Sequence, residues 1–221
     1  MLFKPHPWHG IPPGDSVPDL LNAYIEIVPT DLVKYEIDKA SAHLMVDRPQ
    51  QYSNLCPALY GFIPQSYCGR RVGEYCSERT GHPGIKGDGD ALDICVLSEH
   101  ALSHGDILLK VIPIGGLRMI DGNQADDKIL AVLRNDAIYG RYQDLGDCPR
   151  PLIERLRHYF LTYKNLPDAA EMHVEITDIY SRIEAETVIK ASIEDYNAEF
   201  GDSESRIETL VSMIQAMKKP S

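Results

Sequence analysis

Three aspartates fall within six residues in Asp88-Gly89-Asp90-Ala91-Leu92-Asp93, and the segment runs directly into the apolar stretch Ile94-Cys95-Val96-Leu97. Carboxylates at the mouth of a buried strand are costly unless something offsets their charge. In an extended chain Asp88 and Asp90 share one face and Asp93 lies on the other, so a loop that turns at Gly87 and Gly89 is needed to converge all three. Converged carboxylates repel and their pKa values rise, unless a hard cation such as Mg²⁺ sits among them. A solvated acidic turn is the plain alternative, and taken alone the cluster favours a metal only modestly over it.

Other metal and phosphate readings can be tried on the same residues. An EF-hand loop would use Asp88, Asp90 and Glu99, but its fifth position is Leu92 and its required glycine is Asp93, so that reading fails. A haloacid-dehalogenase-type phosphatase has its carboxylates at the end of a buried strand, whereas here they precede it, and Leu92 stands where Thr or Val belongs; this is the runner-up. Glycines 81, 84, 87 and 89 spell neither GxxxxGK[ST] nor GxGxxG, so nucleotide cradling has no support. His100 and His104 are four apart, but Ala101 replaces the glutamate of HExxH. Cys68, Cys76 and His82 match no zinc spacing well and read as free thiols.

A second acidic group, Asp121-Gly122-Asn123-Gln124-Ala125-Asp126-Asp127-Lys128, again lies between two apolar runs. Two sets of strand-end carboxylates, together with Glu26, Glu36, Lys34, Arg48 and Lys128 on neighbouring strands, can line one cavity in a curled sheet. Carboxylates for metals, and lysine and arginine for phosphate oxygens, are the means of metal-assisted phosphoryl transfer.

Several elements must position these groups. Residues 1–23 hold five prolines and read as an N-terminal arm, with His6-Pro7-Trp8-His9 packing on the fold. Tyr24–Val28 and Val33–Asp38 alternate at period two, predicting half-buried strands, and His43–Asp47 predicts a third, stopped by Arg48-Pro49. About 64–87 shows no convincing period and reads as an excursion outside the core. Strands follow at Asp93–Leu97, Ile107–Ile114 and Lys128–Leu133. A helix opens after Pro149 or Pro151, its stripe Ile153, Leu156, Phe160 and Tyr163 ending at Tyr163 and Lys164. Val174, Ile176 and Ile179 suggest a last strand, and Ser181 with Glu184 has the form of a capping box opening a helix to about Phe200. In the tail, 201–221, Ile207, Leu210, Val211, Ile214 and Met217 form one apolar stripe expected to pack on the domain.

The 221 residues carry 22 Lys plus Arg against 33 Asp plus Glu, a net charge of −11, which argues against nucleic-acid or anionic-membrane partners. The most apolar window, 107–120, is broken by Lys110, Pro113, Gly115, Gly116 and Arg118 and is shorter than the ~20 residues of a membrane span. Five irregularly spaced cysteines without a CxxC pair, and a proline-broken N-terminus, favour a reducing cytoplasm over secretion.

With these residues in view, the chain resembles the family I soluble inorganic pyrophosphatases. Asp88-Gly89-Asp90-Ala91-Leu92-Asp93 is similar to the family's DxDxxD signature. The likeness extends through Ile25-Glu26-Ile27, Lys34-Tyr35-Glu36-Ile37-Asp38-Lys39, Val46-Asp47-Arg48, Tyr60-Gly61-Phe62-Ile63, Asp121 with Asp126-Asp127-Lys128, and His158 to Lys164, in matching order from about Tyr24 to near Tyr180. The resemblance implies an α+β, mainly β fold, a five-stranded OB-like barrel with flanking helices, hydrolysing inorganic pyrophosphate to two phosphates. It implies three to four Mg²⁺ ions held by Glu26, Asp88, Asp93, Asp121 and Asp126, with Asp90 as general base. Lys34, Arg48, Tyr60, Lys128, Tyr163 and Lys164 would bind phosphate oxygens, and Glu36 would stand behind the ligands. A cytoplasmic homo-oligomer is expected. Seven of these carboxylates against four cations leave −3, so pyrophosphate, at roughly −3 to −4, would be repelled without metal. The chain departs from the family at Gly122, where an acidic residue is common, at Cys56, where an aromatic is, and at Ile112, where an arginine is. A non-catalytic ion- or phosphate-binding protein is the competing class; it would not need Asp90.

Overall fold

In chain order the elements are β1 (Leu21–Ile27), β2 (Val33–Ile37), β3 (Leu44–Pro49), β4 (Leu59–Phe62), α1 (Arg70–Thr80), β5 (Lys86–Gly87), β6 (Asp93–Leu97), β7 (Ile107–Asp121), β8 (Gln124–Ala125), β9 (Lys128–Leu133), α2 (Arg150–Thr162), β10 (Val174–Ser181) and α3 (Arg182–Phe200). This computed structural model describes residues 4–50, 53–164 and 174–201, with Ile207 and Val211 beyond them. Strands β1, β4, β6, β9 and β7 pair in that order, and β7 pairs back to β1. The result is a closed but irregular ring of five strands, the mainly β, OB-like architecture with flanking helices. Strands β8, β5 and β10 extend it from β7, and β2 with β3 forms a separate hairpin.

The ring is covered on both sides. Ile94 and Val96 share a core with α1 and α3, through Val72, Cys76, Val188 and Ile189. Cys95 and Leu97, on the opposite face of β6, share one with α2 through Ile153, Leu156 and Phe160. For that reason β1 is buried along all seven residues rather than on one face, and it opens at Leu21, three residues before the alternation that marked it. Burial on both faces removes the polar positions by which a half-buried strand is recognised.

Other expectations are corrected. The segment 64–87 is not an excursion: it contains α1, whose Val72 and Cys76 are 2% exposed in the main core, and β5, which pairs in parallel with β8. Val72, Tyr75 and Cys76 lie at helical spacing within α1, but the stripe is short and one of the three is a cysteine acting as a small hydrophobe. Strand β7 continues through Gly115 and Gly116 to Asp121 with a register shift at Pro113–Gly115. There β10 passes so close that a Cβ on Gly115 would lie 2.5 Å from the Tyr180 carbonyl oxygen, so these glycines admit a neighbour and do not end the strand. Strand β3 runs on to Pro49, tolerated because the hairpin edge asks nothing of the missing N–H. Ser181 is the N-cap of α3 but its side chain makes no capping bond, and the Glu184 carboxylate that would complete the box is taken by Arg79 and Arg118.

Trp8 is 4% exposed and donates from Nε1 to the Ser66 carbonyl at 2.8 Å, so the arm does pack on the fold. The five cysteines are buried and unpaired. No described helix is long and apolar enough to cross a membrane. Of the tail stripe, Ile207 and Val211 are exposed rather than packed, and Leu210, Ile214 and Met217 lie outside the described residues.

Candidate active site

Parallel pairing of β6 with β9 puts Asp93 and Lys128, the first residues of two strands distant in sequence, side by side. Lys128 Nζ then bonds both Asp93 and Asp126, and Tyr60 Oη donates to Asp93 Oδ2 at 2.5 Å. The ammonium also sits 5.9 Å and 5.7 Å from the ring centroids of Tyr60 and Phe160, a cation–π setting. At 1% exposure burial alone would depress the Lys128 pKa, but Asp126 and Asp93 hold it well above the usual range. Asp126 is raised, by burial first, with Asp93 adding repulsion and Lys128 opposing it.

The acidic loop before β6 is stitched to the segment leading into α1. Cys68 N–H donates to the Asp90 carbonyl at 2.7 Å, and Gly89 N–H donates to the Cys68 carbonyl at 3.0 Å. Gly89 adopts φ +78°, so the loop turns there as anticipated, whereas Gly87 lies in β5 and serves close approach, a Cβ on it falling 2.0 Å from the Cys68 oxygen. Asp88 is pushed up to about 7 by burial, then by Asp126 and Asp93. Asp90 points outward, half-exposed, to Lys39 Nζ at 2.9 Å.

The hairpin supplies the facing wall. Register places Lys34 opposite Arg48; Lys34 contacts Glu36, and Asp47 at 3.1 Å, while Arg48 Nη1 donates to Asp47 Oδ2 at 2.6 Å. Glu26 Oε1 accepts from Ile37 N–H at 2.8 Å and ties the hairpin to β1. Burial above all, then Asp93 and Glu36, pushes Glu26 up to about 8, against the lowering effect of that hydrogen bond. Asp121 closes β7 and bonds Lys164, just past α2 and next to the buried Tyr163.

These groups line one cleft of about 430 Å³, which contains all 13 residues singled out from the sequence. Glu36 is among the lining residues. Sequence reading missed Lys39, Asp47, Gln124 and Trp8, which also line the cleft. Lys39 and Asp47 fall inside motif segments already noted; for Trp8 there was no signal, because only the return of the arm brings it there. Adding Asp47 and Lys39 leaves the charge balance at −3. Gly122, a departure, adopts φ +62°, where an acidic side chain would be strained.

The raised carboxylates fix a pH dependence. Glu26 and Asp88 hold protons more tightly folded than unfolded, so their contribution to stability is complete below about pH 4 and is lost as pH rises through about 7 to 8. In chelator the melting temperature is expected to fall between pH 5 and pH 8, the loss amounting to a few kcal/mol. Thermal melts across that range check it, and a flat or rising profile contradicts it.

Hard oxygen donors interleaved with lysines and an arginine in one open cleft define a phosphoryl-transfer enzyme as the class. A sequence profile described as inorganic pyrophosphatase matches residues 23–197. An inorganic pyrophosphatase of Chlamydia muridarum is 48% identical over 195 residues, spanning 86% of this chain and 93% of its own. A soluble inorganic pyrophosphatase of Oryza sativa subsp. indica is 32% identical over 87% of this chain and 80% of its own. Among solved structures, the inorganic pyrophosphatase of Thermus thermophilus superposes with a TM-score of 0.70 at 29% identity, covering 85% of this chain and 97% of the other. The chain belongs to the inorganic pyrophosphatase family, and its activity is that of an inorganic pyrophosphatase.

Proposed function

We propose that the cleft hydrolyses inorganic pyrophosphate to two phosphates with Mg²⁺ and a water nucleophile. The observation that carries this reading is the convergence of buried Asp126 with half-buried Asp88 and Asp93, and of lysines and an arginine, on the same cleft. Among the described residues no three acidic, histidine or cysteine side chains are gathered tightly enough to hold a metal as they stand; Lys128 lies between Asp93 and Asp126. The donors nonetheless fit Mg²⁺ by chemistry, being carboxylate oxygens, two of which, on Glu26 and Asp88, are raised first by burial and then by neighbouring carboxylates whose charge a divalent cation would offset.

Asp88, Asp93, Asp126, Asp121 and Glu26 would hold three to four ions. Bound there, Mg²⁺ would acidify the attacking water and offset phosphoryl charge. Asp90, on the cleft wall beside Lys39, would serve as general base toward the attacking water. Lys34, Arg48 and Lys128 hold phosphate oxygens, and Tyr60, Tyr163 and Lys164 complete the neutralisation of the leaving phosphate. Five buried free thiols support a reducing, cytoplasmic setting, and a homo-oligomer belongs to the same reading.

Phosphate release from pyrophosphate should vanish in EDTA, return with Mg²⁺ and be suppressed by Ca²⁺, whose longer, looser coordination misplaces the water. Full activity in chelator would sink the metal part of the reading.

A further inference from the structure

Asp127 stands between two cleft residues and faces away from the cleft. Asp126 and Lys128 line it, whereas Asp127, 3% exposed, turns toward the layer of α1 and α3. There Tyr180 Oη donates to Asp127 Oδ2 at 3.0 Å, and Arg118 Nη2 lies 3.5 Å from the same oxygen. Arg118 is 1% exposed; its Nη1 donates to Glu184 Oε1 at 2.5 Å. Its guanidinium lies 5.2 Å and 4.8 Å from the ring centroids of Tyr75 and Tyr180. One chain of contacts therefore leads from α1, α3 and β10 through β7 to the residue that separates Asp126 from Lys128.

This network is an odd way to gain stability. Arg118 Nε and Nη2 and Asp127 Oδ1 make no hydrogen bond, so two buried charges are compensated mainly by proximity. Replacing such a pair with apolar side chains is often neutral or stabilising. The helices are in any case already attached to the ring by Val72, Cys76, Val188 and Ile189. What the pair adds is position. It grips the turn entering β9 from behind, while Asp126 N–H donates to the Met119 carbonyl at 2.9 Å beside it.

We propose that Asp127 is a positioning residue for the reaction: through Arg118 and Tyr180 it fixes the turn so that Asp126 and Lys128 project into the cleft in working register. The inference rests on the roles given to Asp126 and Lys128 above. Displacing a reacting or binding group by a fraction of an ångström to 1 Å costs up to ~10²-fold in rate, and a loosened turn is expected to cost about 10-fold.

The test compares kcat for pyrophosphate and melting temperature in wild type, Asp127→Asn and the double variant Arg118→Met/Asp127→Asn. Asp127→Asn removes one of the two carboxylates beside Arg118 and leaves Glu184 as its remaining counter-charge, so melting temperature and kcat should both fall, kcat by about 10-fold. The double variant removes both charges; its melting temperature should recover while kcat stays low, because the grip on the turn is absent from both proteins. A kcat for Asp127→Asn within twofold of wild type, or a kcat that recovers with the melting temperature, overturns the proposal. Should Asp127→Asn fail to fold, Tyr180→Phe keeps both charges and removes one hydroxyl; an unchanged kcat there overturns it equally, and a severalfold loss at a nearly unchanged melting temperature supports it. Lys128→Met is measured alongside. If it is as active as wild type, the site reading itself is wrong; if it is inactive while Asp127→Asn is fully active, only the positioning role falls.

Discussion

Asp90→Asn is expected to lower pyrophosphate turnover by ~10²-fold or more while leaving divalent-cation affinity comparatively intact. Asp90 is set apart from Asp88, Asp93 and Asp126: it is half-exposed, and its side chain meets Lys39 rather than any of them. Asn keeps the shape and can hold the turn, but cannot accept a proton. Asp93→Ala should behave differently. The Asp93 carboxylate is shared by Tyr60 and Lys128, so under the proposed roles its loss would remove a cation ligand and release two phosphate-binding groups at once. Cation affinity and turnover should both fall. Calorimetric titration with Mg²⁺ and a phosphate-release assay on the same two proteins separate these outcomes; near-normal turnover in Asp90→Asn would show that the base lies elsewhere.

Substrate choice should be equally sharp. Lys34 and Arg48 stand together on the hairpin, while Lys128 and Lys164 stand on the ring side, so the cations form two groups across one cleft. Two linked phosphoryl groups can engage both; a monoester such as p-nitrophenyl phosphate engages one and leaves the other unpaired. Nothing lining the cleft resembles a glycine-rich nucleotide cradle that could add binding energy from a base or sugar. The monoester forfeits the contacts of one whole cation group, which is expected to give discrimination of at least ~10³-fold in kcat/KM with Mg²⁺. Comparable kcat/KM values for the two substrates would favour the runner-up, a phosphomonoesterase.

Local pattern carries information only where local physics decides the outcome. Strand β6 was legible with its observed bounds, because charged Asp93 gives way to four apolar residues at one point. Helix α1 was not: its buried positions are Val72, Gly73 and Cys76, a glycine and a cysteine beside one aliphatic residue, and cysteine in a sequence speaks first of redox or metal chemistry. Strand β7 was cut short because glycine usually ends a strand, whereas Gly115 and Gly116 serve the close approach of β10. The capping box at Ser181 looked complete, yet Glu184 found stronger partners in Arg79 and Arg118, residues no local window contains.

The sequence by itself determined the chemistry on offer: which carboxylates and cations exist, how they cluster at strand ends, and that Gly89 permits the acidic loop to turn. It could do so because side-chain type and backbone freedom are properties of single residues and their neighbours. Only the tertiary structure decided which groups meet. The parallel pairing of β6 with β9 sets Asp93 beside Lys128, and the return of the N-terminal arm brings Trp8 to the cleft, its ring 5.5 Å from the ammonium that pairs with Asp90. Ring closure likewise turns Asp127 away from the cleft and onto Arg118 while its two neighbours face in. Such pairings depend on contacts between segments far apart in the chain, and charges of identical type become a ligand, a base or an anchor only through the partners that burial places beside them.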